Sequence, residues 1–277
     1  MIKTQKKIGV IGLGFLGGSV DRYFRDNGIE TLRYDKKGVG SPGEVNRADI
    51  VFVCVNTPFD TKTGFTDLSY VESAVSILNS EKVVVLRSTI PPGTTDSFQK
   101  KFPQHAVLFN PEFLRAATAY EDFINPPRQL IGTTAKSESV AQEILDLLPT
   151  APREYVKIVP AREAELVKFA SNTILASKVA IANKVYDFAQ ALEVDYDEIK
   201  ALIGADPRIG HYGLEVMYEG FRGYNGTCFP KDVRTLIALG EKMGVDVRWL
   251  KDMDDENLAL LRSQGLEPNY GYPKEIK

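Results

Sequence analysis

The sequence predicts an α/β protein: a doubly wound parallel sheet followed by an all-helical domain built on one long central helix. Three observations carry this. Short Val- and Ile-rich runs alternate with amphipathic helical stretches through the first 160 residues. A glycine cluster follows the first of those runs directly. From Ala161 to Leu192 there is then neither Gly nor Pro.

The strands are read first from their continuous apolar character, the mark of burial on both faces. Lys7–Ile11, Thr31–Tyr34, Ile50–Val55, Val83–Arg87 and Ala106–Phe109 meet it, with helical patterns at Phe15–Asn27 and Leu68–Asn79. Gln129–Thr133 and Tyr155–Ile158 flank a helical stretch at Ser137–Leu148 and extend the same sheet. The Ala161–Leu192 segment would form a helix about 48 Å long at roughly 1.5 Å per residue. Helices of that length usually bridge domains or pair with a partner. Asp195–Ile203, Pro230–Met243 and Arg248–Arg262 read as further helices, with a glycine-rich loop from Gly204 to Thr227. The expected organisation is therefore 1–160, 161–262 and a loose tail over 263–277.

Composition narrows the functional classes. The 277 residues carry a net charge of −3, which argues against a nucleic-acid binder while leaving room for a locally basic, anion-binding pocket. No apolar run is long enough to span a bilayer, and the N-terminus lacks the pattern of a secretory signal, so no membrane association is expected. Two cysteines, Cys54 and Cys228, build no disulfide framework. A cytoplasmic, reducing setting is expected, where a functional thiol stays free. The two histidines, His105 and His211, leave little scope for histidine chemistry and none of the residue clusters suggests a metal site. Attention shifts to Lys, Asp, Glu and Cys.

Gly12-Leu13-Gly14-Phe15-Leu16-Gly17 lies between the first strand and the first helix. Gly12 permits the tight turn, Gly14 the approach of a pyrophosphate, and Gly17 close helix–strand packing, while the helix N-terminus offers N–H groups. Asp35, ending the second strand, suits the ribose hydroxyls of NAD and would repel a 2′-phosphate, although Lys36 and Lys37 follow it. These features predict a Rossmann-type, NAD-binding domain. Two loops leave strands at their C-terminal ends, where ligands bind in open α/β sheets. One is Val55-Asn56-Thr57-Pro58; the other runs from Ser88 and Thr89 to Thr95. Taken singly, either is equally an ordinary strand-exit turn.

Gly226-Thr227-Cys228-Phe229-Pro230-Lys231-Asp232 places a thiol in a loop just before a helix that begins near Pro230. A helix N-terminus and a nearby lysine both favour a nucleophilic thiolate. Cys54, inside Val51–Val55, has the opposite setting and reads as an inert small hydrophobe. Glu165, Lys168 and Asn172 stand at i, i+3 and i+7 and so share one helix face. A lysine in an apolar stripe can serve as acid or base; the plainer reading is a solvated charged face. Asp232 reads equally well as a first-turn residue favoured by the helix dipole.

On these motifs the chain resembles the UDP-glucose/GDP-mannose dehydrogenases over roughly residues 6–262. The resemblance rests on the ordered set Gly12–Gly17, Val55–Pro58, Ser88–Thr95, Asn110-Pro111-Glu112-Phe113-Leu114, Glu165–Asn172 and Gly226–Asp232. It implies NAD-dependent oxidation of a nucleotide sugar at its C6 alcohol toward the acid. Cys228 would capture the aldehyde as a thiohemiacetal, oxidised on to a thioester that water hydrolyses. It further implies acid/base or oxyanion roles for Lys168 and Asp232, oxyanion stabilisation by Asn172, and water positioning by Glu112 with Thr89. Phe15, Leu16 and the two strand-exit loops would line the cofactor. Glu112, Phe113, Leu114, Lys168, Asn172, Arg208, Tyr224 and Gly226 would surround the substrate. A homodimer through the long helix is also implied, with Arg208 reaching the nucleotide sugar, often in the neighbouring subunit.

Three departures stand against the family pattern. Ala116 occupies the place of a carboxylate near the reaction site. The double glycine before the cysteine is Asn225-Gly226. The sequence stops after the helices that in the family lead into another nucleotide-binding domain, which closes the site. The expectation is that a separate chain supplies that lid, that the substrate differs, or that this is a fragment or a degenerate relative. Two other functions stay open at this point: simple two-electron oxidation of a smaller hydroxy compound with Lys168 as acid/base, and a non-catalytic NAD-binding or scaffold protein.

Overall fold

The computed structural model describes residues 4–217 and 219–272. In chain order its strands are β1 (Ile8–Ile11), β2 (Thr31–Asp35), β3 (Val39–Gly40), β4 (Ile50–Val53), β5 (Phe59–Asp60), β6 (Phe65–Thr66), β7 (Val83–Leu86), β8 (Ala106–Phe109), β9 (Gln129–Thr133) and β10 (Val156–Pro160). The α-helices are α1 (Phe15–Asp26), α2 (Pro42–Val45), α3 (Ser69–Ser76), α4 (Thr94–Lys101), α5 (Ala119–Ile124), α6 (Ala141–Leu147), α7 (Ala161–Ala191), α8 (Tyr196–Gly204), α9 (Phe229–Met243) and α10 (Arg248–Ser263). They form two compact units, residues 4–57 with 67–168 and residues 58–66 with 169–272.

The first unit is an eight-stranded sheet in the order β10-β9-β8-β7-β4-β1-β2-β3. Its central strands are parallel, as the alternation of strand and helix predicts. Side chains alternate across a strand, so Ile50 and Phe52 enter one core layer with Ile8, Val10, Phe24 and Ile144. Val51 and Val53 enter the other with Val71, Leu86, Phe98 and Phe109. Burial on both faces is why these strands read as unbroken apolar runs.

Two strand directions depart from a purely parallel sheet. β3 runs antiparallel to β2, and β9 antiparallel to β8 with Leu108 opposite Thr133. The chain between β8 and β9 returns through the short α5 rather than a full crossover helix, and this reverses the direction of entry. Gly132 in β9 lies under α7: a Cβ there would sit 2.8 Å from Ala164 Cβ. Sequence reading also passes over α4 and α5, whose short polar sequences show little helical periodicity.

The second unit is helical apart from the β5–β6 hairpin. Ala176, Tyr224, Val233, Ile237, Val247 and Met253 form one cluster; Ala182, Ala189, Tyr196, Leu214 and Val216 form another. The hairpin joins this unit through Thr66, whose hydroxyl lies 2.7 Å from that of Thr235 on α9. The segment read from sequence as a loose tail is anchored over its described part: Phe59 N–H donates to Tyr270 O at 2.9 Å, and their rings pack at 5.7 Å. Residues 273–277 of that tail lie outside the described residues. Among the described residues no helix is long and apolar enough to cross a membrane.

Candidate active site

The functional side chains fall into groups that the two units build separately. In the first unit, Gly12 adopts φ +84°, and a Cβ there would meet Cys54 O at 2.6 Å. A Cβ on Gly17 would stand 1.8 Å from Gly12 O, so the turn and α1 can pack this closely only with glycine at both places. Gly14 differs: a Cβ there would meet nothing within 4 Å, leaving open space over the helix start. No side chain caps the N-terminus of α1, and its first turn carries no acidic residue. Asp35 accepts Leu13 N–H at 2.7 Å on one carboxylate oxygen and Lys37 N–H at 2.8 Å on the other. That leaves each oxygen a lone pair for a sugar hydroxyl. An open glycine, free helix N–H groups and a fixed carboxylate fit a dinucleotide. Phe15 is exposed beside this cradle, while Leu16 is buried in the core.

The strand-exit loops are tied together, since Ser88 Oγ donates to Val55 O at 2.6 Å. Val55, Asn56 and Thr57 belong to the first unit and Pro58 to the second. Thr89 is buried in the loop leading to α4. The N-terminus of α4 is occupied by Glu165 from α7. One carboxylate oxygen accepts Gly93 N–H at 2.5 Å; the other accepts Thr95 N–H at 2.7 Å and Thr95 Oγ1 at 2.6 Å. Burial pushes the Glu165 carboxyl up to about 7 against these donors. Glu165 is therefore a clamp between α7 and the Thr89 loop, a role its helix-face position does not reveal in sequence.

Lys168 follows one turn later on α7, and the solvated-face reading fails for it. Its side chain is 3% exposed, and Nζ lies 2.6 Å from Glu112 Oε1. Glu112 also accepts Leu114 N–H at 2.8 Å on its second oxygen, which fixes the carboxylate against its own loop. Phe113 packs its ring beneath Arg128, at 3.7 Å, and near Lys168 Nζ, at 5.6 Å. Ala116 is exposed at the start of a short 3₁₀ turn. A small cavity lined by Arg87, Glu112, Phe113, Leu114 and Arg128 lies behind this loop. Arg87 is itself buried, bonded to Asn110 Oδ1, and burial lowers its pKa. Sequence reading gave Arg87 no role beyond ending a strand.

In the second unit Cys228 is the N-cap residue of α9, with Pro230 in the first helical turn. Its Sγ is partly exposed and 3.8 Å from Thr227 Oγ1. Asp232 is 1% exposed. It accepts from Asn172 Nδ2 on one oxygen and from Lys231 Nζ, at 2.5 Å, on the other. Asp232 is thus more than a first-turn charge, and Lys231 completes a buried triad that spacing alone does not show. Gly226 takes φ +79° in the loop ahead of the thiol, a conformation that favours glycine.

Two of the residues expected at the substrate have partners of their own in the fold. The Tyr224 side chain is core: it is 2% exposed and its hydroxyl donates to Asp254 Oδ1 at 2.7 Å. An aromatic ring in a glycine-rich loop looks available in sequence; here the loop folds it inward, and burial raises its pKa. Arg208 is exposed and forks onto Asp206, two residues before it. Of the remaining candidates, Cys54 is buried and its thiol is pushed up to about 12, chiefly by burial, in keeping with an inert residue. His105 is buried at the far end of β8, and burial lowers its pKa. Among the described residues no group of His, Cys, Asp and Glu could hold a metal ion.

Comparison with known proteins decides the family. Residues 38–148 match the NAD binding domain of the UDP-glucose/GDP-mannose dehydrogenase family, and residues 162–259 match its central domain. The chain belongs to the UDP-glucose/GDP-mannose dehydrogenase family. The glycine cradle and Asp35 precede the matched span, so the cofactor reading of those residues rests on their geometry. The UDP-glucose 6-dehydrogenase of Rickettsia conorii is 34% identical over 225 residues, covering 77% of this chain and 50% of the relative. That of Pseudomonas aeruginosa is 34% identical over 227 residues, covering 76% and 48%. A UDP-glucose dehydrogenase structure from Pyrobaculum islandicum superposes with a TM-score of 0.81 at 29% identity, covering 94% of this chain and 71% of that one. The chain spans about half the length of these two curated relatives.

Proposed function

We propose that this family member oxidises a nucleotide sugar of the UDP-glucose type at its C6 alcohol, with Cys228 as covalent nucleophile. The observation that carries the reading is the buried Asn172–Asp232–Lys231 triad one turn into the helix that Cys228 caps. The two buried charges lie within one turn of the thiol in sequence, and a functional role accounts for keeping them, because replacing such a pair with apolar groups is often neutral or stabilising. Gly12, Gly14, Gly17 and Asp35 would hold NAD, which would supply the hydride acceptor.

The residues divide the remaining work. Lys168 takes the proton of the C6 hydroxyl as the aldehyde forms and passes one of its own to the Glu112 carboxylate, 2.6 Å from Nζ. Cys228 Sγ then bonds to the aldehyde carbon, and the oxygen so formed is stabilised by Asn172 and Lys168. After the second oxidation a water, oriented by Glu112 and Thr89, attacks the thioester carbon. The acid leaves and the thiol is restored, with Asp232 and Lys231 handling the thiol proton.

A homodimer through α7 is part of the proposal. Ile174, Ile181 and Phe188 recur at seven-residue spacing on α7 and are 62%, 59% and 63% exposed. A stripe of that kind is an interaction face rather than ordinary surface.

The test is a panel of UDP- and GDP-sugars with NADH stoichiometry recorded. Two equivalents of NADH per sugar, and a Cys228→Ser variant that loses turnover or stops after the first, support the reading. One equivalent with Cys228→Ser fully active would assign simple two-electron oxidation instead. NAD binding without reduction of any would assign a non-catalytic role.

A further inference from the structure

The loop that ends in Cys228 is fastened by three side-chain amides in succession. Gln264, at the end of α10, accepts Arg222 N–H at 2.8 Å and donates to Arg222 O at 3.1 Å. Asn257, within α10, accepts Tyr224 N–H at 2.8 Å and donates to Tyr224 O at 2.9 Å. Each amide thus satisfies both backbone groups of one loop residue, as a neighbouring strand would.

Asn225 makes the third fastening in the reverse sense. Its side chain donates to Glu267 O at 3.1 Å and accepts Asn269 N–H at 2.8 Å, so the loop grips the segment beyond α10. That segment then runs along the thiol loop. Gly271 N–H donates to Asn269 Oδ1 at 2.9 Å. Gly271 is buried with φ +83°, and a Cβ on it would stand 2.9 Å from Lys231 Cδ and 3.3 Å from Thr227 O. The segment therefore touches the residues on both sides of Cys228, and Lys231 is the partner of Asp232.

We propose that Asn225 is a positioning residue for the thiol: it clasps segment 267–271 onto the thiol loop, and opening the clasp frees Cys228. The proposal rests on reading Cys228 as the reactive thiol of this site. A glycine or alanine at 225 has no amide to exchange with Glu267 and Asn269, so the segment would lose both of its hydrogen bonds to the Asn225 side chain. An aspartate keeps the acceptor for Asn269 N–H and loses the donor to Glu267 O. It should restore half of the fastening.

The experiment measures the rate of Cys228 alkylation by iodoacetamide in the full chain, read by peptide mass spectrometry. Cys54 is the internal control, since its burial keeps it unmodified while the fold is intact. Asn225→Ala and Asn225→Gly are expected to raise the Cys228 rate about tenfold, with Asn225→Asp between them and the parent. If these variants fail to fold, Gly271→Ala tests the other end of the clasp and should give the same acceleration. Folded variants that alkylate at the parental rate overturn the proposal. So does an Asn225→Asp variant as fast as Asn225→Ala. The assay needs no turnover, so its failure is distinct from that of the catalytic reading, which Cys228→Ser decides.

Discussion

Lys168 Nζ and Glu112 Oε1 stand 2.6 Å apart with both side chains almost wholly buried. The pair joins α7 to the loop after β8, and truncating one partner leaves the other charge buried. Lys168→Met is therefore expected to cost about 3–5 kcal/mol of stability. The double variant Lys168→Met/Glu112→Leu should recover most of that loss. Urea denaturation of the four proteins in the cycle checks it; a double variant no more stable than the single one would sink the idea.

Glu165 should make stability depend on pH. Burial raises its folded-state pKa to about 7 from an ordinary value near 4.5. Between those values the folded chain holds a proton that the unfolded chain has lost, so its contribution is full below about pH 4.5 and lost as pH rises to about 7. Glu165→Gln cannot titrate. Its stability relative to the parent should therefore rise across that window, by up to about 3 kcal/mol. Urea midpoints at pH 5 and pH 8 measure the change, and a constant difference between the proteins would refute it.

Most of the sheet was legible because its strands are buried on both faces and announce themselves as apolar runs; β8 and β9 end where the sequence places them. Their antiparallel pairing was not legible, since a strand buried on both faces reads the same in either direction. Cys228, Lys168 and Asp232 were legible as candidates from motif order. Their surroundings were less so: Glu165 meets Gly93 and Thr95 across about seventy residues of chain, and Asn172 meets Asp232 across sixty. The burial of Tyr224 was not legible, because burial is a property of the folded loop, not of its glycine-rich composition.

The exposed stripe on α7 carries a prediction about assembly. If Ile174, Ile181 and Phe188 are covered by a second copy, a charge at the centre should separate the copies. Ile181→Glu is expected to convert a dimer to a monomer in sedimentation velocity, with helical content unchanged. A parent chain that sediments as a monomer at tens of micromolar would rule out this face as a dimer interface.

Gly14 and Gly17 should separate cofactor binding from folding. Open space surrounds the Cβ position of Gly14, whereas that of Gly17 stands 1.8 Å from Gly12 O. Gly14→Ala should leave the melting temperature within about 2 °C of the parent, because the new methyl touches nothing. The same methyl would stand where a pyrophosphate must approach the helix N–H groups, so NAD affinity should fall at least about tenfold. Gly17→Ala must instead push the Gly12 turn away from α1, and should lower stability by about 1–3 kcal/mol as well as affinity. Calorimetric titration with NAD, beside thermal melts without it, compares the two. If Gly14→Ala bound NAD as tightly as the parent, the diphosphate would have to lie elsewhere, and the cradle at α1 would be only a tight turn.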